Sequence, residues 1–314
     1  MNRRNFLQSM LYASVATGCA TAAAAQSSVH PAVERYRRLQ AAVLKTRGLD
    51  YTERDVHIAS LALRAHVIEA GRGEPLLLLH GGGHVGANWV PLMTRLSGER
   101  LIVLDRPGCG LSDGFLYDGV NMRAHAVDFV SGILDALMVE RTSVVGNSMG
   151  GYYALCFALA HPDRVHKLVV AGGPAGSAGL RTLAAGDRAA AVEARMKGSW
   201  RPAEPGGIPD DLRELFDARL ALPGSEESWR SILRSARQDS TTFALHPELK
   251  GLRTPTLFLW GEQDRIDPPL PAATAIAEQM PNGRLVLLPD AGHTPWMEKP
   301  EECAARIAEF LAEA

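Results

Sequence analysis

Six short apolar runs, each stopping at a glycine, proline or aspartate turn, constrain this chain more than any other feature. They are Leu76-Leu77-Leu78-Leu79, Leu101-Ile102-Val103-Leu104, Ser143-Val144-Val145, Leu168-Val169-Val170, Thr256-Leu257-Phe258-Leu259-Trp260 and Leu285-Val286-Leu287-Leu288. Unbroken runs this short suit strands buried on both faces, as in a parallel sheet. Helical patterns lie between them, at 122–138, 149–160, 271–280 and 300–313. Strand and helix in alternation imply a doubly wound α/β sheet with helices on both faces. Ahead of this pattern, an Arg-rich amphipathic helix is expected at 30–47 and two further strands near 53–59 and 61–69. Residues 175–250 break the rhythm. They hold no clear buried strand and carry breaks at Pro202, Pro205, Gly206, Gly207, Pro209, Pro223 and Gly224. That is too long for a plain connection, so a mostly helical cap over one end of the sheet is expected.

Composition excludes several classes. With 46% hydrophobic and 22% charged residues, the chain of 314 residues is not mainly disordered. A formal charge of −2 and no basic stripe give no footprint for nucleic acid. No uninterrupted apolar run reaches the length of a membrane span, so a polytopic membrane protein is excluded.

The first residues, Met1-Asn2-Arg3-Arg4-Asn5-Phe6-Leu7, open a basic start, a modest apolar middle and an Ala-rich end before Gln26. That is the layout of a cleaved export signal, and the order resembles the twin-arginine leaders of bacteria. The expected cut follows Ala25, with lipidation at Cys19 the lesser alternative. The leader carries Arg3, Arg4 and no acid, so its loss leaves 31 basic and 35 acidic side chains, a charge of −4. Cys109, Cys156 and Cys303 remain, too few for a disulfide framework.

Chemistry concentrates in Gly146-Asn147-Ser148-Met149-Gly150-Gly151, between an apolar strand and a helical run. A sharp strand-to-helix turn exposes its central side chain, and the crowded backbones demand small neighbours. The helix N-terminus beside it favours developing negative charge. Ser148 is the candidate nucleophile. Its base must come from another loop at the same sheet edge. His293, just after the last strand, fits; His80 reads as a structural histidine and His161 as a helix-end residue. The orienting carboxylate is Asp264, with Asp267 as the alternative and Asp105 as a weaker third. An oxyanion needs two preorganised donors. The N–H of Met149 is one, and His80-Gly81-Gly82-Gly83 supplies the other through Gly82 or Gly83. Gly83, Asn88, Trp89 and Trp296 are candidates for the substrate pocket, with turn and packing roles the alternative for Asn88 and Trp89. In the cap, Trp200, Trp229 and Phe243 either line a pocket or pack the lid. No His/Cys cluster has metal-ligand spacing and no Gly-x-Gly-x-x-Gly opens a helix after the first strand, so no cofactor is implied.

With Leu79-His80-Gly81-Gly82-Gly83, Asp105-Arg106-Pro107-Gly108-Cys109-Gly110-Leu111-Ser112-Asp113, Gly146 to Gly151, Trp260 to Asp264 and Gly292-His293-Thr294-Pro295 in place, the chain resembles the serine α/β-hydrolase superfamily over nearly all of 50–314. The resemblance implies an eight-stranded, mostly parallel sheet with a cap inserted after the sixth strand. The division expected is 1–26 leader, 27–49 helical extension, 50–174 with 251–314 core, and 175–250 cap. Haloalkane dehalogenases and epoxide hydrolases of this fold use an Asp nucleophile, so Ser148 argues against both. The Gly-Asn-Ser-Met-Gly-Gly turn also resembles carbon–carbon hydrolases of aromatic ring-cleavage products. Those usually carry Trp after the catalytic His, where Thr294 stands here. The expectation is a periplasmic or secreted serine hydrolase of a small or medium carboxylic ester, lactone or amide. The alternatives are carbon–carbon hydrolysis, acyl transfer, or binding without turnover. The partners implied are a small-molecule substrate and, transiently, the twin-arginine export machinery; no stable membrane span and no nucleic acid are implied.

Overall fold

The computed structural model describes residues 29–173, 209–238, 246–264, 266 and 272–313. The leader, Asp267, Trp200 and Phe243 lie outside the described residues. Eight strands form one sheet: β1 (Tyr51–Ile58), β2 (Leu63–Gly71), β3 (Glu74–Leu79), β4 (Glu99–Leu104), β5 (Thr142–Gly146), β6 (Val165–Ala171), β7 (Thr256–Gly261) and β8 (Gly283–Leu288). Their order is β1-β2-β4-β3-β5-β6-β7-β8. β2 runs antiparallel to both β1 and β4, and every other neighbouring pair is parallel.

The helices are α1 (Pro31–Thr46), α2 (Val90–Met93), α3 (Met122–Ala136), α4 (Met149–Ala160), α5 (Asp210–Arg219), α6 (Ser225–Gln238), α7 (His246–Leu249), α8 (Ala272–Gln279), α9 (Pro295–Glu298) and α10 (Pro300–Ala312). Ends shift by one to three residues from the pattern-based bounds, as fraying termini do. The turn expected between the first two strands is a short 3-10 helix, Ala59–Leu61. The four-residue helix α9 has no period to reveal it in sequence.

The run Leu76 to Leu79 shows why the strands form. All four leucines are fully buried. Leu77 and Leu79 join a core with α3 and α4, while Leu76 and Leu78 join one with α1, α2 and α10 on the other face. A period of two with no polar member places a strand inside a three-layer molecule. The described residues between β6 and β7 are helical: α5, α6 and α7.

Strand order also places the site. From β3 the chain passes to β4 on one side and then to β5 on the other, so the two connections diverge at the β3/β5 edge. Such a reversal leaves a crevice beyond the strand C-termini. The glycine-rich loop follows β3, and the Ser148 turn follows β5.

Candidate active site

Ser148 occupies the turn between β5 and α4 at φ 50°, ψ −114°. A non-glycine residue with positive φ is strained, and strain of this kind persists only where the surroundings enforce it. Here the enforcement is close packing of backbone. A Cβ on Gly150 would lie 1.9 Å from the Leu79 carbonyl oxygen, so α4 can start this near β3 only through glycine. Met149 is the first residue of α4, so its N–H has no intrahelical acceptor and is free to serve an oxyanion.

Asn147 ties the turn to the base. Its Nδ2 donates to the Ala171 carbonyl at 2.6 Å and to the His293 carbonyl at 3.0 Å. His293 therefore sits beside the nucleophile turn although it is far along the chain. Its Nδ1 donates to Asp264 Oδ2 at 2.8 Å, so Nε2 is the ring nitrogen able to act as a base. Asp264 is fixed in turn: Trp260 Nε1 donates to Oδ2 at 3.1 Å, and the Ile266 N–H donates to Oδ1 at 2.9 Å. Ser148, His293 and Asp264 are each 8% exposed or less, so water competes poorly for their bonds.

Asp105 is committed elsewhere. It accepts from the Gly86 N–H at 2.7 Å and the Leu111 N–H at 2.8 Å, and burial pushes its carboxyl up. Bound into two loops, it does not orient His293. His80 stacks its role on the same framework. Its Nδ1 donates to the Gly81 carbonyl at 2.8 Å, and its Nε2 accepts from the Arg106 N–H at 2.9 Å. Burial and the Arg106 charge hold this imidazole well below its usual pKa, so it stays neutral. Arg106, wholly buried, donates back to the His80 and Gly81 carbonyls at 2.9 Å each. These bonds shape the glycine-rich loop.

Gly82 sits under a lid. A Cβ there would lie 2.8 Å from the ring of Trp229 on α6 and 3.3 Å from the sulfur of Met149. Trp229 also borders a cavity of about 270 Å³, whose wall includes Gly83, Cys109, Arg219, Glu226 and Ile232. Ser148 is not part of that wall; the cavity abuts the oxyanion loop rather than the nucleophile. Of the pocket candidates, Gly83 lines it. Asn88, Trp89 and Trp296 do not. All three are fully buried. Asn88 Oδ1 accepts from the Val85 N–H at 3.0 Å, and the two tryptophan rings pack 4.0 Å apart. Three large side chains that could face a pocket instead hold the oxyanion loop against α9.

Two buried charged residues near the site carry no motif. Arg219 closes α5 at 9% exposure, with its guanidinium 3.8 Å from the Phe216 ring centre. One arginine among several in a polar segment gives no sequence signal. Glu298, at 3% exposure, accepts from the Gly292 N–H at 2.7 Å and the Thr294 N–H at 3.0 Å. It also accepts from the Thr294 hydroxyl at 2.9 Å. It thus grips the loop on both sides of His293. Burial raises its carboxyl, against the lowering effect of those bonds and of His293. Its spacing, five residues past His293, is the one available hint.

Together these residues offer a hydroxyl on a strained turn, a base with its orienting acid, and backbone donors for an oxyanion. A set of that kind is suited to acyl transfer to water. Comparison with known proteins agrees at the level of family. A family model described as "Alpha/beta hydrolase family" matches residues 76–306. The 2-hydroxymuconate semialdehyde hydrolase of Pseudomonas putida is 32% identical over 266 residues, covering 82% of this chain and 94% of that protein. Two solved structures share the fold at a TM-score of 0.73. The carboxylesterase CesB from Bacillus subtilis is 22% identical, covering 90% of this chain and 98% of its own. The 2-hydroxy-6-oxo-6-phenylhexa-2,4-dienoate hydrolase from Rhodococcus sp. strain RHA1 is 21% identical, covering 84% and 100%. An ester hydrolase and a carbon–carbon hydrolase fit equally well, so the fold does not choose between the chemistries. The chain belongs to the alpha/beta hydrolase family and is a hydrolase.

Proposed function

We propose that this hydrolase cleaves the carbon–carbon bond beside a ketone in an acid-bearing, conjugated substrate, through an acyl-enzyme on Ser148. The observation that carries the reading is Arg219, a buried guanidinium in the wall of the cavity that starts at the oxyanion loop. Carbon leaves poorly unless its electron pair can delocalise. A conjugated fragment ending in a carboxylate accepts that pair, and a cation beside it offsets the charge in a site of low dielectric. The 32% identity to a 2-hydroxymuconate semialdehyde hydrolase supports the same class.

In this reading Ser148 Oγ attacks the ketone carbon and His293 Nε2 takes its proton. The N–H groups of Met149 and Gly82 hold the oxyanion; losing one such donor costs about 3 kcal/mol of transition-state stabilisation. The bond to carbon breaks, its electron pair passes into the conjugated fragment, and His293 returns the proton to that fragment. Water, deprotonated by His293, then releases the acyl group as a carboxylic acid. Asp264 keeps the His293 tautomer and stabilises the imidazolium.

Hydrolysis of a simple carboxylic ester is the second reading. Thr294 favours it, since the carbon–carbon hydrolases usually carry Trp there, and so does the export implied by the leader. Kinetics separate the two. The protein and Ser148→Ala are assayed on 2-hydroxy-6-oxo-6-phenylhexa-2,4-dienoate, by loss of dienone absorbance, and on p-nitrophenyl esters from acetate to decanoate. We expect the dienone to be favoured in kcat/KM by roughly 100-fold, with both activities absent in Ser148→Ala. Faster turnover of an ester would establish the second reading. Turnover surviving in Ser148→Ala would remove both.

A further inference from the structure

The helix α1 lies ahead of the residues matched by the family model, yet it packs directly on α5, whose last residue is Arg219. Its buried face is Tyr36, Gln40, Val43 and Leu44, a helical stripe at positions one, five, eight and nine. Tyr36 shares one core with Leu212, Leu215 and Ala218 of α5. Charged groups flank that core. Arg35 pairs with Glu214 at 2.9 Å, and Arg47 grips Asp211 with both terminal nitrogens. The charge of Arg219 reaches the Tyr36 phenol and opposes the larger upward push of burial on its pKa.

The same face of α1 also reaches the sheet. Gln40 Nε2 donates to Glu53 Oε1 of β1 at 2.9 Å and lies 3.1 Å from His66 Nε2 of β2. The helix also touches the 3-10 turn Gly86–Trp89 that continues the oxyanion loop. From the α5 side, Phe216 meets the ring of His84 in that same loop, edge to face at 6.0 Å. One helix therefore brackets three things: the sheet edge, the oxyanion loop and the cavity wall.

We propose that α1 is a clamp that holds the Arg219 end of α5 against the cavity, with Tyr36 as its positioning residue. The clamp sets how well the cavity is prepared for an acidic substrate, and it leaves the chemistry at Ser148 alone. Preorganisation of this kind acts on binding: a cation already in place saves the cost of ordering it. The ring of Tyr36 does the work, since its hydroxyl makes no hydrogen bond among the described residues. The acid contact rests on the function proposed above; the clamp itself does not.

The test uses the full protein and two independent readouts. Hydrogen exchange is followed by mass spectrometry in wild type, Tyr36→Phe, Tyr36→Ala and the double variant Arg35→Ala/Arg47→Ala. Peptides over 210–219 are expected to exchange roughly 10-fold faster in Tyr36→Ala and a few-fold faster in the double variant. Peptides over β3 to β7 should not change, and Tyr36→Phe should match wild type. Unchanged exchange in α5, or equal acceleration across the sheet, would overturn the clamp. The double variant also covers the case in which Tyr36→Ala fails to fold. Kinetics supply the second readout: KM for the acid-bearing dienone should rise several-fold while kcat stays within about twofold. Faster α5 exchange with unchanged KM would support the clamp and remove the acid contact at Arg219.

Discussion

Ser148 holds φ at 50° and ψ at −114°, and a residue kept in such a region costs on the order of 1–3 kcal/mol. Glycine adopts positive φ freely, at the cost of about 0.5–1 kcal/mol in unfolded-chain entropy. Ser148→Gly should therefore be more stable than Ser148→Ala by about 1 kcal/mol, reversing the usual order of the two residues. Urea unfolding of both variants measures this; a more stable Ala variant would show that the turn stores no strain. Both variants lack the nucleophile, so stability and activity part company at this position. Neighbouring residues show how the strain is held. Asn147 bonds the carbonyls of Ala171 and His293, and Glu298 bonds the N–H groups on either side of His293. The Ser148 turn and the His293 loop are thus registered against each other by the side chains of Asn147 and Glu298.

At the scale of elements, α6 overhangs the glycine-rich loop through Trp229. It is fastened by a stripe of serines. Ser231 Oγ accepts from the Tyr117 N–H at 2.9 Å, Ser228 Oγ accepts from the Phe115 N–H at 3.3 Å, and Ser235 donates to the Tyr117 carbonyl. Arg234 adds a two-point pair to Asp118 at 2.7 Å. With these bonds in place, Trp229 can be removed without unseating the helix. Trp229→Ala should open the space over Gly82 into the 270 Å³ cavity. The ratio of kcat/KM for p-nitrophenyl decanoate over acetate should then rise roughly 10-fold. An unchanged ratio would show that the indole is no wall to the acyl group. The serine stripe also explains a limit of pattern reading. Ser228, Ser231 and Ser235 look like a solvated face, yet all three are buried against the backbone of another loop. Polar residues that bond distant backbone are indistinguishable in sequence from polar residues that bond water.

At the scale of the whole molecule, burial of neutral histidines makes the fold sensitive to acid. His125 is buried and stacks on Phe115 with ring centres 4.5 Å apart. Burial, and then the Arg106 charge, lower its pKa to about 4. The native state thus refuses a proton that the unfolded chain, near pH 6.5, accepts. The stability this represents is present above pH 6.5 and drains away as the pH falls towards 4. Between pH 7 and pH 4.5 one such group loses about 2.5 kcal/mol. His125→Phe keeps the aromatic stacking and has nothing to protonate. Its unfolding free energy should fall by about 2.5 kcal/mol less than that of wild type over the same interval. Equal losses would show that His125 is protonated without penalty. The carboxyls of Asp105 and Glu298, pushed up by burial, act in the opposite sense and temper the total acid effect without altering the difference between the two proteins.

The buried strands of the parallel sheet were legible because each is a local signal, while the count of eight strands came from the resemblance to the hydrolase superfamily. A few apolar residues and a turn are encoded within one short window, and burial on both faces removes polar alternation. The turn at Ser148 was legible for the same reason, since its glycines answer to backbone crowding a few residues away. Tertiary structure alone decided the rest. Asp264 and not Asp105 meets His293, because Asp105 is spent on the N–H groups of Gly86 and Leu111. Trp89 and Trp296 pack on each other, fully buried. Arg219 reaches the cavity wall from the end of α5, a helix that packs on α1 and is tied to it by the Arg35–Glu214 pair more than 170 residues apart. Contacts between such distant segments depend on how whole layers pack, and no local pattern in the chain records them.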